Sequence, residues 1–198
     1  MSDIFYSYGN NAYANLTNKC SCQCSFCIRH LNKPLITESN LWLDKDPTPE
    51  EAKSALDVFD PGKYDELVFC GYGEPTYALD TMLQLADYAK KRYGLKLRLN
   101  TNGLGNLIND KDIVSEIASH IDSISISLNA ADSETYKTLC KPIFDGAYAE
   151  ILSFTKKCHE YMNDVTLSVV SVIAPEEIKK CHSIADDIGV NFRIRDFI

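Results

Sequence analysis

Segments with the apolar spacing of a β-strand alternate with segments of helical spacing along the chain, and this alternation constrains the fold most. Strand-type segments are predicted at 12–17, 66–70, 95–100, 123–128, 166–173 and 190–195. Strands separated by helices indicate parallel pairing with right-handed crossovers. A complete eight-stranded barrel needs ~200 to 250 residues or more, whereas this chain has 198. We therefore expect an α/β fold, a partial (open) βα barrel of about six parallel strands, with a doubly wound sheet as the alternative.

Several helix boundaries are marked by capping residues. Thr48 and Glu51 form the pattern of a capping box, and Asp132 is placed to cap a later helix. Gly94 follows an amphipathic segment and is predicted to end it. The pair at 109–110, Asn followed by Asp, is predicted to begin another helix.

Length and charge limit the function classes. The 198 residues suit a single domain spanning 1–198. There are 28 acidic and 20 basic residues, for a net charge of −8, which disfavours non-specific binding to nucleic acid or to an anionic membrane. No apolar run approaches the ~20 residues of a membrane span, and the start lacks the features of a secretory signal. A cytoplasmic protein without a membrane segment is expected.

Four of the eight cysteines lie within eight residues, at Cys20, Cys22, Cys24 and Cys27. Disulfides are rare in the cytoplasm, so this clustering favours metal or redox chemistry. Three thiolates spaced C-x3-C-x2-C suit a [4Fe-4S] cluster in which one iron has no protein ligand. The alternative is a zinc site in which Cys22 is the fourth thiolate.

The cysteine spacing, with Phe26 before the last cysteine, resembles the hallmark of the radical S-adenosylmethionine (SAM) superfamily. Residues 71–75 (GYGEP) resemble that family's Gly-Gly-Glu-Pro motif. The Thr-Asn-Gly at 101–103 and the run 125–132 (SISLNAAD) resemble later family motifs in the family's order. The runs 8–18 and 26–29 are most similar to a small subgroup encoded beside TatD-type nucleases.

The resemblance implies a [4Fe-4S] cluster on Cys20, Cys24 and Cys27 and a SAM site along the strand ends. The SAM contacts expected from it are Phe26, Gly73, Glu74, Asn102, Ser127, Asn129 and Val170. Gly73 is included because a residue without a side chain lets a ligand approach the backbone closely. Short polar residues at strand ends also form ordinary turns, and Val170 also suits a plain core position.

The last predicted strand places two arginines on one face. If Val190, Phe192 and Ile194 face the helices, Arg193 and Arg195 point into the barrel. A buried cation must meet an anion, so Arg195 is expected to bind the SAM carboxylate or an anionic substrate. The alternative is a salt bridge on the outer rim.

The leading hypothesis is a radical SAM enzyme that cleaves SAM reductively to a 5′-deoxyadenosyl radical, which abstracts hydrogen from an unknown substrate. An electron donor such as flavodoxin or ferredoxin is expected, the substrate can be macromolecular, and a functional link to a TatD-type nuclease is implied. One alternative is an enzyme that installs a radical on a partner protein. The other is a non-enzymatic iron–sulfur or zinc module for electron transfer or scaffolding.

Two segments complete the expected site. A cluster-binding loop is predicted near residues 18–30. Residues 28–47, which include the only tryptophan, Trp42, are interpreted either as a lid or as a plain connecting loop.

Overall fold

The computed structural model describes residues 3–30 and 40–197. Within these residues the chain forms one sheet with the strand order β1-β2-β3-β4-β5-β6-β7. The strands are β1 (Phe5–Tyr8), β2 (Asn11–Ala14), β3 (Glu66–Phe69), β4 (Lys96–Thr101), β5 (Ser123–Ser127), β6 (Val165–Val170) and β7 (Asn191–Arg195). β2 to β7 pair in parallel, and β1 pairs antiparallel with β2. The predicted open α/β fold is confirmed, with one more strand than expected.

Seven α-helices connect the strands in the described part of the chain. They are α1 (Pro49–Phe59), α2 (Leu79–Tyr93), α3 (Gly105–Asn109), α4 (Val114–His120), α5 (Ser133–Cys140), α6 (Ala147–Tyr161) and α7 (Pro175–Ile188). Thr48 and Glu51 form the predicted capping box of α1, and Asp132 caps α5. Gly94 ends α2 with φ of 65°. None of these helices combines the length and apolar character that a membrane crossing requires.

One predicted helix boundary is wrong. The residues at 109–110 end α3 instead of beginning a helix, because Asp110 adopts a left-handed conformation with φ of 49°. The next helix begins only at Val114. Asn and Asp favour both N-caps and left-handed positions, so the pair indicates a helix end without saying which end it is.

The sheet has an apolar face against the helices and a polar face opposite. Leu97, Leu99, Ile124, Ile126 and Leu167 on the apolar face are almost completely buried. We call the other side the polar face; its residues on β4 to β7 include Arg98, Asn100, Ser125, Ser127, Ser168, Arg193 and Arg195. Phe192 stacks on His182 of α7 with ring centroids 4.8 Å apart, which confirms the predicted pleat of β7.

The polar face is concave. One cavity of about 150 Å³ is lined both by Glu66 on β3 and by Arg193 on β7. On a flat sheet, four strand spacings of about 4.8 Å would put β3 roughly 19 Å from β7. Because a cavity of this size cannot span that distance, the sheet must curl so that β3 and β7 approach each other.

Candidate active site

The segment 18–30, which we call the cysteine loop, follows β2 at the carboxyl end of the parallel strands. Cys20, Cys24 and Cys27 in it are partly exposed, whereas Cys22 is buried. Within residues 3–30 and 40–197, no three cysteine, histidine or carboxylate side chains surround a single metal-ion position. A cubane cluster does not require such a group, because each thiolate binds a different iron. Three accessible thiols in one loop therefore fit a cluster ligand set.

The loop is held on one side by the end of α5. The backbone N–H of Gln23 donates to the Cys140 carbonyl at 3.0 Å, and that of Ser25 donates to the Leu139 carbonyl at 2.9 Å. These two bonds lie on either side of Cys24, so backbone pairing with α5 fixes the path of the chain at this cysteine.

Cys22 is held differently from the three other cysteines of the loop. Its Sγ lies 3.6 Å from the hydroxyl of Tyr136 on α5, and its side chain is only 7% exposed. Hydrogen bonding to the Cys24 thiol raises the pKa of Cys22. Burial raises the pKa of the Cys20 thiol to about 12. Metal binding must therefore displace protons from these thiols. The buried contact with Tyr136 favours a structural role for Cys22 over that of a fourth ligand.

The loop is held on the other side by the motif after β3. A Cβ built at Gly73 would lie 2.7 Å from the Lys19 carbonyl oxygen and would overlap the carbonyl oxygen of Thr17. The N–H of Glu74 donates to the same Lys19 carbonyl at 2.8 Å. The close approach expected of Gly73 is therefore made to the backbone of the cysteine loop.

The Glu74 side chain joins this motif to the end of β4. It is 4% exposed, and it accepts hydrogen bonds from the Thr101 hydroxyl and the Asn102 N–H, both at 2.7 Å. The hydroxyl and N–H of Thr76 donate to it as well, at 2.9 and 3.3 Å. Burial raises the pKa of Glu74, and these hydrogen bonds oppose that rise. The Asn102 side chain in turn donates to the Ser21 hydroxyl at 2.9 Å, which extends the connection into the loop.

A second group of expected site residues meets on the polar face. Arg195 donates through Nη2 to the Ser127 hydroxyl at 3.2 Å and to the Asn129 side-chain oxygen at 3.0 Å. Asn129 has φ of 58°, which turns the chain sharply after β5. Val170 is 7% exposed and lies opposite Arg195 in the β6–β7 register. The predicted inward direction of Arg195 is confirmed, and in the described residues it forms no salt bridge.

The expected site residues therefore fall into two sets. Gly73, Glu74 and Asn102 contact the cysteine loop, whereas Ser127, Asn129, Val170 and Arg195 lie together on the polar face. Phe26 packs its partly buried ring against the hydrophobic core. These positions leave the assignment of each residue to SAM as a prediction.

Part of the predicted lid lies outside the described residues, at 31–39. In the described part, the Trp42 ring lies 4.9 Å from the Arg29 guanidinium and 5.2 Å from the Tyr72 ring. Arg29 also donates to the Tyr72 carbonyl at 3.4 Å. Trp42 therefore packs beside both the cysteine loop and the motif after β3.

Asn15 was not among the expected site residues. It is fully buried, and its side-chain oxygen accepts from the Tyr72 N–H at 3.1 Å while its amide donates to the Leu41 carbonyl at 2.8 Å. It thereby ties the motif after β3 to the segment that carries Trp42. The predicted strand 12–17 includes Asn15, whereas the observed strand β2 ends at Ala14, so the sequence revealed neither its place at a strand end nor its partners.

Residues 14–188 match the model of the radical SAM superfamily. The chain belongs to the radical SAM superfamily. Its cofactors are accordingly a [4Fe-4S] cluster and SAM, and the members of this superfamily are enzymes. No curated protein sequence matches the chain.

Several solved structures share the fold of this chain. Native anSMEcpe with bound AdoMet is 14% identical with a TM-score of 0.70, over 94% of this chain and 50% of that one. Methylornithine synthase (PylB) is 14% identical with a TM-score of 0.66, over 95% and 53% of the two chains. A structure of anSMEcpe with AdoMet and the Cp18Cys peptide is 13% identical with a TM-score of 0.66, over 94% and 50%. The chain spans about half the length of these proteins.

The contact between Gly73 and the cysteine loop predicts a loss of both stability and iron in the Gly73→Ala variant. The added methyl group must push back two backbone carbonyls, and overpacking of this kind costs about 1–3 kcal/mol. We expect a lower melting temperature and less iron per chain after anaerobic reconstitution, measured by thermal unfolding and iron analysis.

Gly62→Ala is the matched control for this variant. A Cβ at Gly62 would have its nearest contact 3.8 Å away, at an oxygen of Asp60, so this change should alter neither property. Wild-type stability and iron content in Gly73→Ala would show that the loop does not depend on this contact.

Proposed function

We propose that the protein is an enzyme that cleaves SAM reductively and abstracts hydrogen from a substrate. The observation that carries the proposal is the position of the cysteine loop. It lies between the motif after β3 and the end of α5, at the carboxyl ends of the parallel strands. Catalytic groups of parallel α/β folds lie at this end of the sheet.

Cys20, Cys24 and Cys27 would hold the [4Fe-4S] cluster and leave one iron for SAM. When bound, the cluster would supply one electron to SAM, which splits into methionine and a 5′-deoxyadenosyl radical that takes a hydrogen atom from the substrate. The protein's part is to position these groups and to exclude water from them.

We assign the SAM carboxylate to Arg195. This guanidinium lies on the polar face, its Nε is buried without a hydrogen-bond partner in the described residues, and it bonds to Asn129, whose amide donates to the Cys140 thiol beside the loop. Arg195 is therefore near the cysteine loop, and its Nε–H is available to donate to a ligand. An arginine fork matches a carboxylate better than an ammonium group does.

The remaining expected SAM contacts are assigned by their positions near Arg195 or near the cysteine loop. Ser127 and Asn129 are proposed to bind the ribose or carboxylate, and Val170 to contact the adenine. Backbone groups at Gly73 and Glu74 would face the methionyl part of SAM, with Asn102 and Phe26 beside the loop.

An electron donor and a substrate complete the proposed function. We expect a flavodoxin or ferredoxin as the electron donor and a cytoplasmic location, where the eight unpaired cysteines would stay reduced. A functional link to a TatD-type nuclease follows from the subgroup resemblance alone. A macromolecular substrate is compatible with a sheet that does not close into a complete barrel, and the anSMEcpe structure with a peptide is a precedent on a similar fold.

The ligand set predicts different outcomes for two cysteines of the same loop. Cys24→Ser should lose the cluster, whereas Cys22→Ser should keep about four irons and four sulfides per chain, since serine retains a hydroxyl for Tyr136. Iron and sulfide analysis after anaerobic reconstitution measures both. Loss of iron in Cys22→Ser would mean that Cys22 is a ligand, and zinc without sulfide would favour the non-enzymatic module.

SAM cleavage tests the function itself. The reconstituted protein with dithionite and SAM should release 5′-deoxyadenosine and methionine in equal amounts. Arg195→Gln should keep its iron but bind SAM more weakly by about 2 kcal/mol or more, roughly thirtyfold. The control is Arg92→Gln, because Arg92 is on α2 and pairs with Asp57 at 3.2 Å. A protein with a full cluster that forms no 5′-deoxyadenosine would contradict the proposal.

A further inference from the structure

A second arginine, Arg193, lies on the polar face beside Arg195. Arg193 is two residues earlier on β7, about 7 Å further from the carboxyl end of the sheet. Its Nη2 donates to the Ser125 hydroxyl at 3.2 Å, which repeats the contact between Arg195 and Ser127. Its Nε is buried and, within the described part of the chain, has no hydrogen-bond partner.

Two of the three arginines on the polar face form no salt bridge in the part of the chain that the structure describes. The chain contains five arginines, and three of them are on this face. Arg98 is paired with Glu66 at 2.7 Å, but in residues 3–30 and 40–197 no carboxylate forms a salt bridge with Arg193 or Arg195. In the same residues, the buried Nε of each of these two arginines has no hydrogen-bond partner. A buried donor left unpaired is unfavourable, so both arginines are suited to binding an anion.

The two arginines have different surroundings. Arg195 donates to the side-chain oxygen of Asn129 at 3.0 Å, and the Asn129 amide donates to the Cys140 thiol at 3.8 Å, beside the cysteine loop. Burial and the neighbouring Arg98 lower the pKa of Arg193, whereas Tyr13 and Glu66 raise it. Arg195 therefore lies beside the cysteine loop, whereas Arg193 lies further toward the amino ends of the strands.

Space is available beside Arg193. A cavity of about 150 Å³ is lined by Arg193, Arg98, Ser125, Thr166, Glu66 and Asp164. This is roughly the volume of five waters, enough for a carboxylate or a phosphate group. Of the two acidic residues, Glu66 is engaged by Arg98 and by Asn11, and Asp164 accepts from Asn191 at 3.4 Å. An anion would therefore bind at the Arg193 side of the cavity.

We propose that Arg193 is a substrate-binding residue that holds an anionic group, a carboxylate or a phosphate, below the SAM bound at Arg195. This inference rests on the proposed function, since it takes Arg195 as the partner of SAM. It assigns the substrate to compounds or residues that carry such an anion.

Arginine side-chain NMR can test ligand binding at Arg193 and at Arg195 separately. The five Nε–H signals of ¹⁵N-arginine-labelled protein are observed with the oxidised cluster, without oxygen, and assigned with R193K and R195K. SAM is added first. Glutarate and inorganic phosphate are then titrated in parallel as carboxylate and phosphate probes.

We expect SAM to move the Arg195 signal and one of the two probes to move the Arg193 signal saturably. The probe that binds more tightly identifies the anion. In R193Q, where the signal of Arg98 beside the same cavity reports binding, the affinity for that probe should fall about tenfold or more, while the SAM-induced shift of Arg195 persists. The signal of Arg92, which pairs with Asp57, should not move and serves as the control.

Failure of the inference and failure of the proposed function give different results. If SAM moves the Arg195 signal but neither probe moves that of Arg193, the substrate assignment is wrong and the function stands. If a probe moves the Arg193 signal but SAM moves none and is not cleaved, the anion site stands and the enzyme proposal fails.

Discussion

The buried carboxylate of Glu74 holds together the parts of the chain on which the site depends. The backbone N–H of Glu74 donates to the Lys19 carbonyl and so fixes the cysteine loop. The Glu74 side chain accepts hydrogen bonds from Thr101 and Asn102 at the end of β4. Asn102 carries the connection back to the loop at Ser21. A buried carboxylate is tolerated only when its oxygens are bonded, and its removal would leave several buried donors unpaired. The register of the loop against the sheet is therefore set by a few polar contacts and by the absence of a side chain at Gly73.

The second constraint is the alternation of side chains along the strands. Apolar residues on one face bury against the helices, which sends polar residues to the other, and the curl of the sheet gathers them. Arg193 and Arg195 are consequences of this alternation on β7. They make the concave side cationic in a protein whose net charge is −8. The net charge alone disfavours the binding of anionic ligands, whereas the two arginines on the concave side favour it locally.

Local patterns were enough to predict much of the fold. The period-two spacing of residues 95–100 and the capping box at Thr48 each specify their element without distant partners. β1 was missed because four residues beside a turn at Gly9 carry a weak signal, and Asp110 was placed at the wrong end of a helix. The polar contacts of the site were beyond prediction for another reason. Asn15 bonds to Tyr72, 57 positions away, and Asn102 to Ser21, 81 positions away, and such partners are fixed only by tertiary packing.

Cys20, Cys24 and Cys27 are proposed to hold the cluster, and Arg195 to hold the carboxylate of SAM. A crystal structure of the anaerobically reconstituted protein with SAM, with anomalous data at the iron edge, would test both assignments at once. We expect four iron sites bonded through Cys20, Cys24 and Cys27, with Cys22 still beside Tyr136 and the SAM carboxylate on Arg195. A single metal ion held by four thiolates that include Cys22 would contradict the assignment of the cluster.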